Sequence, residues 1–257
     1  MLIDVHAHCR GPIDGADDPW GQDRELVERM KAGGIDIAVV SNLSTPRPST
    51  VEGFQKCNRD MLAALKEFRG FYWGWAYVNP GYALEAIADI DRCLEADEDC
   101  IGVKLYNEYH ICDPAARQVL GHCEKHDIPI LLHAGHSHVN RAAQPNISDA
   151  GHIVKASREF PEAKIICGHI GGGGDWEWEI KTLRDASPAT AADISGSVTD
   201  EGLVEYSIRH IGADRLFFAT DNQVHTGVGK FRSAKMSDED REKIASKNFL
   251  RYIGRDA

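Results

Sequence analysis

Cysteine is too scattered in this chain to make a covalent scaffold. The seven stand at 9, 57, 93, 100, 112, 123 and 167, an odd number with no Cys-x-x-Cys pair. Neither a disulfide framework nor a structural zinc knuckle is indicated, so reduced packing residues are expected. Basic charge is in deficit, with 29 Lys and Arg against 40 Asp and Glu for a net charge of -11, and there is no basic block. Long-range attraction to phosphate backbones or anionic membranes is therefore not expected, which sets nucleic acid and membrane surfaces aside as partners. No apolar run approaches the roughly 20 residues of a membrane span. Met1-Leu2-Ile3-Asp4 lacks the basic start and long apolar stretch of a signal peptide, so a cytoplasmic location is expected. A P-loop's lysine and Ser/Thr are missing as well, and nucleotide binding has no signature.

What is present is a chain of 257 residues, 42% hydrophobic and 27% charged, with ample material for a core. A single (β/α)8 barrel typically needs about 250 residues. The pattern along the chain alternates. A strand begins at Leu2-Ile3 and ends in Asp4-Val5-His6-Ala7-His8. A helix over 22–32 follows, with Leu26, Val27 and Met30 on one face and Gly33-Gly34 closing it. Strands are then predicted over 35–40, 71–78, 100–106, 128–133, 163–168, 191–195 and 216–220. Helices are predicted over 52–68, 83–96, 114–126, 148–160, 175–184 and 200–211, the second of them with Leu84, Ile87, Ile90 and Leu94 on its buried face. Asp113-Pro114 reads as an N-cap with Pro at the first helical position, and Ser237-x-x-Asp240 as the cap of the tail helices.

The strands are near-continuous apolar runs, as expected when both faces of a parallel sheet are buried. A doubly wound open sheet normally has fewer strands, and its Gly-rich phosphate turn after the first strand is absent. No linker, low-complexity tract or repeat beyond the βα unit intervenes. Residues 1–257 are expected to form one domain, a parallel eight-stranded (β/α)8 TIM barrel with outer helices.

Active sites of such barrels lie at the C-terminal ends of the strands, and that is where the reactive side chains fall. His6 and His8, two apart on a strand, share a face and can bind one ion. Lys104 lies in strand four, His133 ends strand five, His169 ends strand six and Asp221 ends strand eight. Four imidazoles and a carboxylate at one end of different strands converge economically on a borderline divalent cation such as zinc. In the loops beyond, Tyr106, Glu108 and His110 follow strand four, and His136, His138 and Arg141 follow strand five. Of these, Tyr106, His110, His136 and Arg141 are taken as candidates to bind substrate, an arginine or histidine there holding a carboxylate. Four glycines at 171–174 let backbone approach a ligand or simply turn into a helix. Cys9 would point away from the His pair on an ideal strand and reads as packing. Ser195 and Ser197 carry no nucleophile motif.

Taken in order, His6-x-His8, Gly102-Val-Lys104-Leu, Leu132-His133-Ala-Gly, Gly168-His169 and Thr220-Asp221 resemble the amidohydrolase superfamily. The closest pattern is its amidohydrolase-related (amidohydrolase 2) branch of small single-domain barrels, and the resemblance extends over residues 4–222. It implies a metal-dependent hydrolase, with decarboxylases and hydratases among its relatives. By the resemblance His6, His8, His133 and Asp221 are metal ligands. Asp221 also takes a proton from the attacking water, and His169 is a second-metal ligand or a polariser of substrate. Lys104 is either a carboxylated bridge between two ions or a plain lysine facing substrate. The glutamate usual in deoxyribonuclease-like relatives is absent, which disfavours a nuclease.

The cofactor expected is one or two divalent ions, zinc foremost. The partner expected is a small-molecule substrate, and a homo-oligomer remains open. The first function is hydrolysis of an amide, ester or lactone by metal-activated water, with Asp221 as base and then acid. Two alternatives stand beside it: non-oxidative decarboxylation at the same site, and a non-enzymatic metal-binding barrel.

Overall fold

The structure is a computed structural model, and it describes residues 1–44, 47–136, 144–170, 172 and 174–255. The strands are β1 (Ile3–His8), β2 (Ile37–Ser41), β3 (Tyr72–Tyr77), β4 (Cys100–Leu105), β5 (Ile130–Leu132), β6 (Ile165–Cys167), β7 (Ala191–Asp193) and β8 (Leu216–Phe217). They pair in parallel in sequence order. The helices that follow them in turn are α1 (Gly21–Ala32), α2 (Val51–Glu67), α3 (Ala83–Ala96), α4 (Arg117–Lys125), α5 (Ala150–Glu159), α6 (Trp176–Leu183), α7 (Leu203–Ile211) and α8 (Val224–Ser233). This is the expected (β/α)8 barrel, and among the described residues no helix is long and apolar enough to cross a membrane.

The seam between β8 and β1 is joined mainly beyond the short last strand. The Val5 N–H donates to the Phe218 carbonyl at 3.1 Å, and the Asp221 N–H donates to the His6 carbonyl at 2.8 Å. Buried Asp4 completes the join by accepting from the Thr220 N–H at 3.0 Å and the Thr220 hydroxyl at 2.5 Å. Each strand contributes alternate residues to two layers. Ile3, Val5, Val39, Trp73, Trp75, Leu131, Ile166, Ala191 and Phe217 fill the barrel interior. Their neighbours in sequence, such as Ala38, Val40, Val103, Ile130, Ile165 and Phe218, pack outward against the helices.

The tail closes the end opposite the histidines. Ser237 accepts from the Asp240 N–H at 3.1 Å, capping α9 (Asp238–Glu242) as the sequence predicts. From α10 (Asn248–Tyr252), Phe249 packs against Trp75 and Phe217 with ring centroids 6.1 and 5.5 Å apart.

Gly102 shows how tightly this interior is filled. A Cβ there would stand 2.6 Å from the Trp75 ring and 2.4 Å from the Pro129 carbonyl oxygen. Gly102→Ala is therefore expected to lower unfolding free energy by about 1–3 kcal/mol, measured by urea denaturation. An unchanged midpoint would show that β4 moves to make room.

One expected face is rotated. On α3 the buried residues are Ala86, Asp89, Ile90 and Cys93, while Leu84 is 75% exposed. A polar contact turns the helix: the Asn58 amide of α2 donates to the Asp89 carboxylate at 2.6 Å, and Arg92 donates to it at 2.7 Å. Apolar periodicity carries no trace of such a bond.

Candidate active site and metal centre

An irregularity in β1 aims the His-x-His pair. Ile3 and Val5 point into the barrel, and strict alternation would send Ala7 after them. The register against β2 shifts between Asp4 and Ala7, a β-bulge that puts Ala7 and Cys9 in the outer layer and turns His6 and His8 inward. The missing side chain at Gly168 leaves room for His6, because a Cβ there would meet its ring at 3.0 Å.

Buried His6 is the hub. Its Nδ1 lies 2.8 Å from Asp193 Oδ2 and its Nε2 lies 2.7 Å from the Lys104 Nζ. His8 Nε2 faces Asp221 Oδ1 at 3.0 Å, and its Nδ1 faces the Ser41 hydroxyl at 2.9 Å. His169 sits 4.5 Å from His6, ring to ring, with its Nδ1 at 2.8 Å from the Ser195 hydroxyl and 3.8 Å from Asp221 Oδ2. Asp193 Oδ1 accepts from the His169 N–H at 3.1 Å, the Ser195 N–H at 2.9 Å and the Ser195 hydroxyl at 2.5 Å. His169 and Asp221 both take left-handed backbone, with φ of 57° and 52°. These turns fold the chain sharply after β6 and β8 and present the side chains across the mouth.

Burial sets the protonation states. It lowers the pKa of His6 and pushes that of His133 well down, with Lys104 adding to both, and it takes His169 down to about 4. Burial also brings Lys104 down to about 8, against the pull of Asp221 and Asp193. For Asp193 and Asp221 burial favours the neutral acid, yet their histidine partners outweigh it and hold both well below the usual carboxylate range. Neutral imidazoles beside ionised carboxylates are the states that ligate a cation.

Two donor sets fit one. The ligand atoms of His6, His8 and Asp221 lie within 4.8 Å of one another, and so do those of His6, His169 and Asp193. Two ring nitrogens and a carboxylate oxygen in each suit a borderline divalent ion. His133 stands alongside, outside both sets, with Nδ1 at 3.0 Å from His169 Nε2 and Nε2 at 3.2 Å from Gln144 Oε1.

A cavity of about 570 Å³ opens beside this group, lined by His8, Asp221, Asn222, Tyr106, Arg47 and Arg10 among others. That volume suits a small organic ligand. A stack of three planar groups starts at its wall with Arg47 and Tyr106 and runs on to His133. The Arg47 guanidinium lies 3.4 Å from the Tyr106 ring centroid, and Tyr106 lies 4.0 Å from the His133 ring with 5° between planes.

Not every expected substrate residue joins them. His110 stacks on His152 at 4.1 Å, in a neighbouring cavity shared with Asp149 and Trp178. His136 reaches Asp149 at 3.1 Å and lies 4.2 Å from the Trp178 ring. Arg141 and His138 fall outside the described residues. Cys9 is buried in the outer layer, as read. Sequence reasoning missed Asp193, Arg47, Gln144 and the partner role of Ser195. Only Asp193 left a signal, a carboxylate ending an apolar strand.

The cluster around Asp149 also holds a buried acid. Glu179 of α6 accepts from the Ala150 N–H at 2.6 Å, and its other oxygen has no partner among the described residues. Burial, reinforced by Asp149 and Asp175 and opposed by the Ala150 N–H, pushes its pKa from 4.5 to about 8. An acid whose folded pKa exceeds its unfolded value costs stability as pH rises between the two. Glu179→Gln should therefore match the wild type in unfolding temperature near about pH 4 and exceed it by several degrees near about pH 9. Parallel curves across that range would contradict it.

An eight-stranded parallel barrel with histidines and carboxylates gathered at its C-terminal mouth has the layout of a barrel enzyme. The family follows from the sequence: the amidohydrolase profile matches residues 3–252, and the chain belongs to that family. The resemblance read from five short motifs is thereby borne out.

Among solved structures it is similar to 2,6-dihydroxybenzoate decarboxylase from Rhizobium, with 18% identity, TM-score 0.75 and 98% of each chain covered. It is also similar to a dihydroxybenzoic acid decarboxylase from Polaromonas sp. JS666 with bound manganese and the inhibitor 2-nitroresorcinol (17% identity, TM-score 0.75, 98% of this chain and 96% of that one). A third is 4-oxalomesaconate hydratase from Rhodopseudomonas palustris (16% identity, TM-score 0.72, 99% and 96% covered). No curated protein matches the chain.

Proposed function

We propose that this enzyme is a metal-dependent, non-oxidative decarboxylase of a small aromatic or unsaturated carboxylic acid. The observation that carries this reading is the stack of Arg47, Tyr106 and His133 beside the donor set of His6, His8 and Asp221. A small acid entering the cavity meets the outer end of this stack, a guanidinium, which binds carboxylates in a fork. The activities named for the Rhizobium and Polaromonas proteins support the same reading. His6, His8 and Asp221 would hold the ion, with His169 and Asp193 as a second set and His133 at their side. A divalent ion bound there supplies Lewis acidity toward a substrate oxygen. Zinc fits the donor chemistry, and manganese is bound by the Polaromonas protein.

The chain's own groups do the rest. Arg47 binds the carboxylate, and Tyr106 holds the guanidinium in place. Asp221 takes a proton from water and delivers it to the substrate carbon, while Ser195 keeps His169 in register. The carbon–carbon bond breaks with its electron pair left on that carbon, the proton fills it, and carbon dioxide departs, taken up by the hydroxide left from the water as bicarbonate. Hydrolysis is the second reading, favoured by the His8–Asp221 pair at 3.0 Å, where Asp221 is 26% exposed to the cavity and positioned to deprotonate water. Metal-loaded protein should release carbon dioxide from hydroxybenzoates or unsaturated diacids. In heavy water the product should carry one deuterium where the carboxylate was. Turnover of esters or lactones with no carbon dioxide from the acids would establish the second reading instead.

A further inference from the structure

The turn that leaves β7 is held from behind by a single ammonium. Lys230 Nζ, on α8, donates to the Ile194 carbonyl at 2.9 Å and to the Ser195 and Gly196 carbonyls at 3.2 Å each. An ammonium has three donors and no acceptor, so these three carbonyls use all of it. No carboxylate among the described residues forms an ion pair with it. Taking a charge out of water without a counter-ion carries a penalty, and a methionine there would pack α8 against the turn without it.

The other face of the turn is the site. While its carbonyls are drawn toward α8, the Ser195 N–H and hydroxyl both donate to Asp193 Oδ1, at 2.9 and 2.5 Å, and the hydroxyl oxygen lies 2.8 Å from His169 Nδ1. Gly196, with a φ of 86°, comes close to the same residue, since a Cβ there would stand 3.3 Å from the His169 Cβ and 3.6 Å from Nδ1. A hydroxyl has one proton and an ionised carboxylate can only accept, so the Ser195 proton goes to Asp193 and its oxygen accepts from His169. The imidazole is thereby fixed with its proton on Nδ1 and its Nε2 free to act as a base or ligand.

We infer that Lys230 is a positioning residue, whose ammonium gathers the carbonyls of residues 194–196 and so holds Ser195 where it sets the tautomer and aim of His169. This rests on His169 belonging to the site and holds for either reaction named above. Lys230 acts from outside the mouth. It lines a separate cavity of about 440 Å³ together with Asp200, Leu203 and Thr226, and that cavity gives small molecules a way to its side chain.

The test uses the zinc-loaded chain with nitrogen-15-labelled histidine. In the wild type the His169 Nδ1–H should give a slowly exchanging low-field proton signal, assigned by its loss in Ser195→Ala. Lys230→Ala and Lys230→Met should both lose that signal and lower kcat by about 10–100-fold, the range for removing a group that orients a site residue, with KM within about threefold. Added n-propylammonium replaces the Cγ, Cδ, Cε and Nζ atoms that Lys230→Ala removes, so in that variant it should restore the signal and raise turnover about tenfold. The neutral n-propanol should do neither, and Lys230→Met, whose side chain fills the space, should not respond to the amine. A signal absent from the wild type, or kept in the folded variants, overturns the inference. Equal rescue by n-propanol overturns it too, because Lys230 would then serve only as packing. If Lys230→Ala does not fold, Lys230→Met, which keeps the volume of the stem, carries the comparison. Should the signal follow Lys230 while neither acids nor esters turn over, this inference stands and the functional reading falls.

Discussion

Asp221→Asn should keep the barrel and lose the enzyme. Turnover is expected to fall by about 10²–10⁴-fold, the range for removing a general acid or base. The substitution is mild on the fold for a specific reason. Asp221 sits at a φ of 52°, a conformation asparagine tolerates better than most residues, and its contribution to the seam is a backbone N–H that Asn retains. What changes is the side chain, which can no longer take a proton and is a weaker partner for His8. Circular dichroism and unfolding temperature should therefore stay near the wild type while turnover collapses. A variant that turns over at the normal rate would remove Asp221 from the chemistry.

The second large effect is His6→Ala. His6 belongs to both donor sets, so its loss should empty most of the bound metal, read by elemental analysis of protein shown to be folded. It also strands two charged groups in the interior. Lys104 and Asp193 are each 0% exposed and lie on opposite nitrogens of that ring. Removing one member of a buried charged network costs about 3–5 kcal/mol, so the denaturation midpoint should drop sharply as well. His8→Ala is the control, because His8 belongs to one set and its side chain is 21% exposed. It should lose metal with a smaller loss of stability. Full metal content in the His6 variant would refute the ligand assignment.

The fold was legible because parallel strands buried on both faces must be apolar throughout, and Ile37–Ser41, Ile130–Leu132 and Ile165–Cys167 are such runs. The ends were less so. His133 and His169 lie just past strands that stop at Leu132 and Cys167, and at His169 the backbone turns left-handed to present the side chain. The histidines stood out because imidazoles are conspicuous at the ends of apolar strands. That His6 and His8 share a face follows from alternation, but that this face is the inner one depends on a bulge no residue type announces.

Arg47 was invisible for a different reason. It lies in an irregular loop with no periodicity, and only closure of the barrel brings it over Tyr106.

The seam carries a consequence for how the molecule comes into being. Asp221 meets His6 and His8 only across the join between the first strand to leave the ribosome and the last, the longest separation in sequence that the ring contains. A nascent chain can lay down seven strands and most of its helices and still lack the carboxylate that completes the set of His6 and His8. That set is assembled by the final closure, in the same step that removes the last open edge of the sheet.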